Sequence, residues 1–183
     1  MGLDMYLTKK HYVKNWDWEE NPERKYDVEV KRGGKTIPHI KKERISYIEE
    51  EVMYWRKANA IHKWFVDQVQ DGEDNCGTYY VSTETLEKLR TICEKTLEVI
   101  NKSNIKFAEV HTGFDQNGNT YATIPTYDCE DALEDLLMPQ SGFFFGSTEI
   151  DEYYKETIQE TLNFLNEELK ADDGGDYYYH SSW

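Results

Sequence analysis

One stretch of the chain combines basic and aromatic side chains without a single carboxylate. The sequence "YWRKANAIHKWF" runs from Tyr54 to Phe65, and the acid-free window around it extends from Val52 to Val66. The chain as a whole has 183 residues and a formal net charge of -15. Guanidinium, ammonium, amide and imidazole groups can grip a phosphate and a base edge, and an indole ring offers a stacking surface. The window therefore points to a site for a nucleotide-like anion.

The candidate ligand-binding residues are the polar and aromatic members of this window. On a helix, Arg56, Asn59 and Lys63 would share one stripe because they are spaced by three and four residues. Trp55, Asn59 and His62 would form the neighbouring stripe. The alternative interpretation is a helix whose apolar residues are core and whose cations pair with the surplus carboxylates. Surface ion pairs of that kind contribute little to stability.

A second stretch, "SGFFFGST", precedes a predicted helix. Gly146 lies just before the N-terminus of that helix, where backbone N–H groups can hold a phosphate. The stretch is not a Walker A loop, because no Lys stands between the Gly and the Ser. Acidic residues such as Glu149 and Asp151 already complement the helix dipole. The alternative is a strand-to-helix turn above an aromatic core.

The remaining chemistry-bearing residues form no catalytic or metal-binding motif. The five histidines make no HExxH pair, and there is no Cys-x-x-Cys. The sequence "DQNGN" imitates a calcium loop, but its Gly stands fourth instead of sixth. A G-x-S-x-G motif is absent too. We therefore expect no metal, cofactor or catalytic residue, although residues that converge from distant positions leave a nucleotide hydrolase as a third hypothesis.

The charge is unevenly distributed along the chain. Residues 1–63 contain 14 Lys and Arg against 11 Asp and Glu, a net charge of +3, whereas residues 64–183 contain 7 against 25, a net charge of -18. This balance argues against broad binding to a nucleic-acid backbone, which needs many phosphate neutralisations. One small anionic ligand remains compatible with it. The acidic portion also suggests an alternative, a protein that mimics nucleic acid or covers a basic host protein.

The cysteines and the apolar segments predict the cellular compartment of the protein. Cys76, Cys93 and Cys129 are an odd number and stand far apart, and the opening residues do not read as a signal peptide. Free thiols in a reducing cytosol are the expectation. No run of about 18 apolar residues exists, so no membrane span is predicted. A homo-oligomer is compatible with the sequence.

Hydrophobic alternation and turn residues predict the strands. Leu3, Met5 and Leu7 alternate with polar residues, which predicts a first strand within residues 1–13. Gly33–Gly34 and Asn117–Gly118 predict the turns of two hairpins. The terminal "YYYHSSW" predicts a docked strand, and the alternative is an aromatic pocket wall.

Helical spacing and capping residues predict three helices, with a short fourth in "CEDALEDLLMP". The first runs from Trp55 to about Val69, and Ser82 or Thr83 caps a second that ends near Asn101. The third follows a Thr148–Asp151 capping box and ends near Lys170. With the two hairpins and the terminal strands, this order predicts a single α+β domain over residues 1–183 with a mixed antiparallel sheet.

Five motifs, taken together, resemble a family of small acidic proteins of bacteriophages and bacterial genomes. They are "MGLDMYL", "YWRKANAIHKWFV", "GEDNCGTYYVS", "SGFFFGST" and "YYYHSSW", and they span the chain from end to end. The resemblance implies a phage or prophage origin and a place in the host cytosol, but no reaction, ligand or site. The leading hypothesis is a non-enzymatic protein that binds a small nucleotide-derived anion, such as a host defence signal.

Overall fold

The computed structural model describes residues 2–116, 118–142, 144–171 and 174–183. Within these ranges the chain forms eight β-strands and three α-helices, which confirms the predicted α+β class. Among the described residues, no helix has the length and apolar character needed to cross a bilayer.

The central sheet is antiparallel and joins the two ends of the chain. Its strands are β1 Asp4–Tyr12, β4 Tyr47–Arg56, β5 Thr78–Val81 and β8 Asp176–Ser182. Their order in the sheet is β4-β1-β8-β5, so β8 lies inside the sheet and not at its edge. Burial alternates along β1 and β8, because successive side chains of a strand point to opposite faces of the sheet.

Three helices cover one face of this sheet. They are α1 Asn59–Val69, α2 Thr83–Lys102 and α3 Glu152–Glu168. The ring of Phe65 on α1 stacks on Tyr179 of β8 with 4.0 Å between centroids. On α3, Thr161 bonds to Trp55 of β4, and α2 packs against α3. The core therefore lies between the helices and this face of the sheet.

Two predicted helix starts are wrong, and both errors have a local cause. β4 continues through Trp55 and Arg56, which pair with β1, and Lys57 then adopts a left-handed φ of 55° that ends the strand. Helix α1 consequently begins at Asn59. At α3, Asp151 is itself the N-cap and accepts a hydrogen bond from the Tyr154 N–H at 2.9 Å. Ser82 caps α2 as predicted.

Both predicted hairpins are present outside the central sheet. The first is short and comprises β2 Lys31–Arg32 and β3 Lys35–Thr36. The second is a long two-stranded ribbon of β6 Asn104–Asp115 and β7 Gly118–Asp128. Its predicted turn residue Asn117 lies outside the described residues. In place of the predicted fourth helix there is a 3-10 turn at Glu130–Leu133, and similar turns occupy Pro22–Arg24 and Lys42–Arg44.

Candidate functional site

Trp55 is a core residue in the structure. Its side chain is 3% exposed, and its ring lies against Phe65 with 5.9 Å between centroids. The indole Nε1–H donates to Thr161 Oγ1 at 2.8 Å, so the polar atom of the buried ring is satisfied. The predicted stacking surface for a ligand is therefore not available at this residue.

His62 is also buried, and both of its ring nitrogens have partners. The imidazole is fully covered, with Nδ1 2.8 Å from Tyr179 Oη and Nε2 2.9 Å from Asp74 Oδ2. The indole Nε1–H of Trp183 donates to the other oxygen of Asp74 at 3.0 Å. His62 thus ties α1 to β8 and to the loop before β5.

Arg56 and Lys63 are exposed but lie apart. The Arg56 Nη1 donates to Asp4 Oδ1 at 3.2 Å, and its hydrogen bond with Tyr54, followed by the charge of Asp4, raises the pKa of the guanidinium. Lys63 pairs with Asp67 one turn further along α1. The shared stripe predicted for Arg56, Asn59 and Lys63 is wrong, since Arg56 belongs to a strand.

Asn59 brings the two candidate motifs of the sequence together. The side chain is buried, and its Nδ2 donates to the Phe145 carbonyl at 3.1 Å and to the Ser147 carbonyl at 2.8 Å. Its Oδ1 accepts from the Gln140 N–H at 3.2 Å. One amide therefore fastens the "SGFFFGST" loop to the start of α1. Both donors of the Asn59 amide are used within the protein, and the side chain positions the loop beside α1.

A cleft of about 170 Å³ lies where this loop meets the helices. Lys57 and the first turn of α1 form one wall, and Gly146 with Ser147 forms the second. The first turns of α3 close the third side. The lining residues are Lys57, Ala58, Asn59, Ala60, Ile61, Gly146, Ser147, Glu149, Asp151, Tyr153, Tyr154, Thr157 and Ile158.

The start of α1 is left open toward this cleft. Ala58 is the N-cap and offers no side-chain acceptor, and the first turn contains no acid. The N–H groups of Asn59, Ala60 and Ile61 have no intrahelical acceptor, because they belong to the first turn. Other described residues supply none to them either. The acid-free window thus includes an uncapped helix N-terminus, the electropositive end of the helix dipole.

Lys57 stands beside this open N-terminus and was missed as a candidate. Its N–H donates to the Leu3 carbonyl at 2.8 Å, and its aliphatic stem runs along Gly146. A Cβ at Gly146 would lie 3.1 Å from the Lys57 Cβ, and the φ of +91° there also favours glycine. The Lys57 side chain makes no ion pair within the described part of the chain.

The opposite wall of the cleft carries hydrogen-bond acceptors. The Asp151 Oδ1 is occupied by the Tyr154 N–H, while Glu149 is half-buried and makes no ion pair with a described residue. Burial raises the pKa of Tyr154, whose hydroxyl donates to the Leu137 carbonyl, so this phenol stays neutral. At the rim, the Tyr153 Oη donates to the Arg56 carbonyl at 2.5 Å and the ring remains exposed.

The arrangement suits a ligand with two different ends. An anionic group would meet the α1 N–H groups and Lys57, and hydroxyl or amino donors would meet Glu149 and Asp151. Within the described ranges, no group of three or more His, Cys, Asp or Glu side chains is placed to hold a metal ion. No family model matches the chain, and no curated protein or solved structure does so either.

Proposed function

We propose that the protein binds a small nucleotide-derived anion in the cleft at the start of α1. The observation that carries this proposal is the uncapped, acid-free N-terminus of α1, which opens onto the cleft beside Lys57. Hydrogen bonds to a charged group contribute about 1.5–3 kcal/mol each when their partners are otherwise left unpaired. Two or three backbone N–H groups and one ammonium are enough to select an anion.

The rest of the cleft favours a nucleotide over a bare phosphate. Carboxylates such as Glu149 and Asp151 accept hydrogen bonds from sugar hydroxyls, as acidic residues do in dinucleotide sites. The volume of about 170 Å³ accommodates a phosphate and a sugar but is below the ~300–1,000 Å³ of whole-ligand pockets. The base would therefore lie at the rim, where the exposed ring of Tyr153 offers a stacking surface.

In the cell, such a protein would act by sequestering its nucleotide ligand. The resemblance to small acidic phage proteins supports a role in the host cytosol, where holding a signalling nucleotide would blunt a host defence. Sequestration requires only that the nucleotide be held, which the α1 N–H groups and Lys57 would do. Glu149 and Asp151 also line the cleft, so analysis of the nucleotide after incubation decides between sequestration and hydrolysis.

Calorimetric titration of the full chain tests the proposal. The panel contains inorganic phosphate, pyrophosphate, nucleoside monophosphates and cyclic dinucleotides. We expect Lys57→Ala to weaken binding of the best ligand about tenfold or more, since a charged hydrogen bond is lost. Lys63→Ala is the matched control, because it is an exposed lysine of the same window that already pairs with Asp67. Equal affinity for the two variants would overturn the proposal, as would failure of every member of the panel to bind.

A second variant tests the helix N-terminus itself. Ala58→Asp would place a carboxylate at the N-cap, where it accepts from the first-turn N–H groups and repels an anion. We expect binding to be lost while the melting temperature is retained, a combination that a merely damaged fold would not produce. Chromatography of the nucleotide after incubation separates binding from hydrolysis, because a binding protein returns the nucleotide unchanged.

A further inference from the structure

The face of the central sheet opposite the helices is uncovered and aromatic. Cross-strand register places Tyr54, Tyr6 and His180 in one row over β4, β1 and β8. The ring centroids are 5.3 Å apart for Tyr6 and Tyr54, and 5.9 Å apart for Tyr6 and His180. Tyr178 and Tyr80 form the next row, with centroids 5.9 Å apart. We name these five residues the open aromatic face.

The rings of this face are accessible. Tyr54 is 42% exposed and Tyr80 is 58% exposed, and the other three are half-buried between their neighbours. Single exposed aromatics are ordinary, but contiguous apolar patches mark interaction sites. Tyrosine in particular is enriched at protein interfaces because it offers a large contact area with a polar tip.

The charges around the open aromatic face determine whether a cationic or an anionic partner fits it. Arg56 pairs with Asp4, and Lys10 lies 3.6 Å from Glu49, so both cations of the face are engaged. Glu51 lies on the edge strand β4, in register with Thr8 of β1, and it makes no ion pair with another described residue. The face is therefore acidic where it is open. Such a surface repels a phosphate backbone and complements a cation.

The molecule itself shows how this face holds a cation. The Lys10 ammonium lies 4.6 Å from the ring centroid of Tyr178, with the Glu49 carboxylate beside it. A tyrosine ring with a neighbouring carboxylate is a favourable place for an ammonium or guanidinium group. The rings of Tyr6 and Tyr54 lie on β1 and β4 close to Glu51 and offer the same combination, with no cation of the described residues stacked on them. Tyr80, on the opposite edge strand, offers a further exposed ring at the other end of the face.

We propose that the open aromatic face binds an arginine- or lysine-rich segment of a partner protein. The rings would hold the cationic groups by cation–π contact, and Glu51 would supply the opposite charge. Arginine is the better fit, because its planar guanidinium stacks on aromatic faces and is more weakly hydrated than an ammonium. This surface lies on β-strands and shares no residue with the cleft at α1, so the proposal stands independently of the ligand proposed above.

Fluorescence anisotropy with the full chain tests the proposal. The probe is a short fluorescein-labelled peptide of alternating arginine and glycine, compared with its lysine and glutamate counterparts and with labelled oligothymidylate. We expect the arginine peptide to bind most tightly and the lysine peptide more weakly, with no binding of the glutamate peptide or the oligonucleotide. Oligothymidylate binding that depends on the same residues would overturn the proposal in favour of nucleic acid.

Matched variants separate the face from general charge attraction. Tyr80→Ala is compared with Tyr121→Ala, an equally exposed tyrosine on the β6–β7 ribbon. Glu51→Gln is compared with Glu160→Gln, an exposed acid on α3. We expect the first member of each pair to weaken peptide binding about twofold to fivefold and the second to leave it unchanged. Equal losses within the pairs would overturn the proposal. Glu51→Gln removes no packing, so it keeps the test valid if Tyr80→Ala lowers stability.

Discussion

The two faces of strand β8 put the same residue types to different uses. Tyr177, Tyr179 and Ser181 point toward the helices and are buried, whereas the side chains between them are half-buried or exposed on the other face. Tyr179 stacks on Phe65 and bonds to His62, while its neighbour Tyr178 lies under the Lys10 ammonium. Register, more than composition, decides which aromatic stabilises the fold and which is available for recognition.

The residues of the acid-free window also divide into buried ones and surface ones. Trp55, Asn59 and His62 are buried, and their polar atoms are bonded to other elements. Lys57 and Lys63 remain at the surface. The buried side chains of this stretch therefore build the core, and Lys57 borders the cleft at the start of α1.

Deleting Tyr177–Trp183 is the most severe test of the role of β8. The deletion removes an interior strand, which leaves β5 without its strand partner and β1 paired with β4 alone, and it exposes part of the core. The buried rings of Tyr177 and Tyr179 alone contribute about 3–6 kcal/mol, and the backbone hydrogen bonds to β1 and β5 are lost as well, so the total loss is comparable with the ~5–15 kcal/mol stability of an ordinary domain. We expect no cooperative unfolding transition in urea. A truncated chain that melts like the parent would show that β8 is dispensable.

Adjacent substitutions in β8 measure the difference between its faces. Tyr179→Ala removes a fully buried ring, and we expect a loss of about 3–5 kcal/mol in the free energy of unfolding, as for other large aromatic truncations. Tyr178→Ala removes a ring of the open face and should cost clearly less. Urea denaturation of both variants gives the comparison. Equal losses would mean that the two faces contribute alike to stability.

Alkaline pH should weaken the helix-covered face. Burial raises the pKa of Tyr179 well above its ordinary value of 10.0, and burial raises the pKa of the Cys93 thiol to about 12 from 9.0. The folded state keeps these protons where the unfolded chain releases them, so stability is complete below about pH 9 and falls as the pH rises toward 12.

The urea midpoint measured from about pH 7 to pH 11 checks this expectation. Cys93→Ala should show a shallower fall over the alkaline range than the parent, because it lacks one of the buried groups whose pKa is raised. A midpoint that stays level to the highest pH in the parent protein would contradict the assignment of these protons to the folded state.

A smaller change isolates the hydrogen bond between Tyr179 and His62. Tyr179→Phe keeps the ring against Phe65 but leaves the His62 Nδ1 without its partner at 2.8 Å. An unsatisfied buried polar group costs about 1–3 kcal/mol, so the variant should lie between the parent and Tyr179→Ala. A midpoint equal to that of the parent would show that the contact adds nothing to stability.

Local signals predicted much of this fold. Alternation in Leu3, Met5 and Leu7 gave the buried side of β1, and Ser82 marked the start of α2. These features depend on neighbours in sequence. The start of α1 depends instead on pairing between β1 and β4, which extends the strand through Trp55 although that residue also fits the helical spacing. A long-range contact therefore overrode a local pattern.

The sequence pointed to the two motifs that border the cleft, but not to all of the residues that line it. Both motifs that border the cleft were recognised, and Asn59 was named, but as a ligand contact when its amide fastens the loop. Lys57 was missed because its position beside the cleft follows from a left-handed backbone and from contact with Gly146, and neither feature produces a periodic pattern in the sequence. The open aromatic face was also missed, since it exists only once the order of the four strands is known.

The smallest expected effects belong to the exposed cations of the window. Arg56→Ala removes an ion pair with Asp4, and Lys63→Ala removes one with Asp67, both at the surface. Exposed pairs contribute about 0–1 kcal/mol, so the free energy of unfolding of each variant should lie within about 1 kcal/mol of the parent value. Trp55→Ala provides the contrast from the same window, because it leaves a cavity between β4 and α3. Urea denaturation of the three variants compares the stability that surface and core residues of the window contribute. If either cation variant loses as much stability as Trp55→Ala, the surface cations of the window are structural as well, and the division of the window into core and surface residues fails.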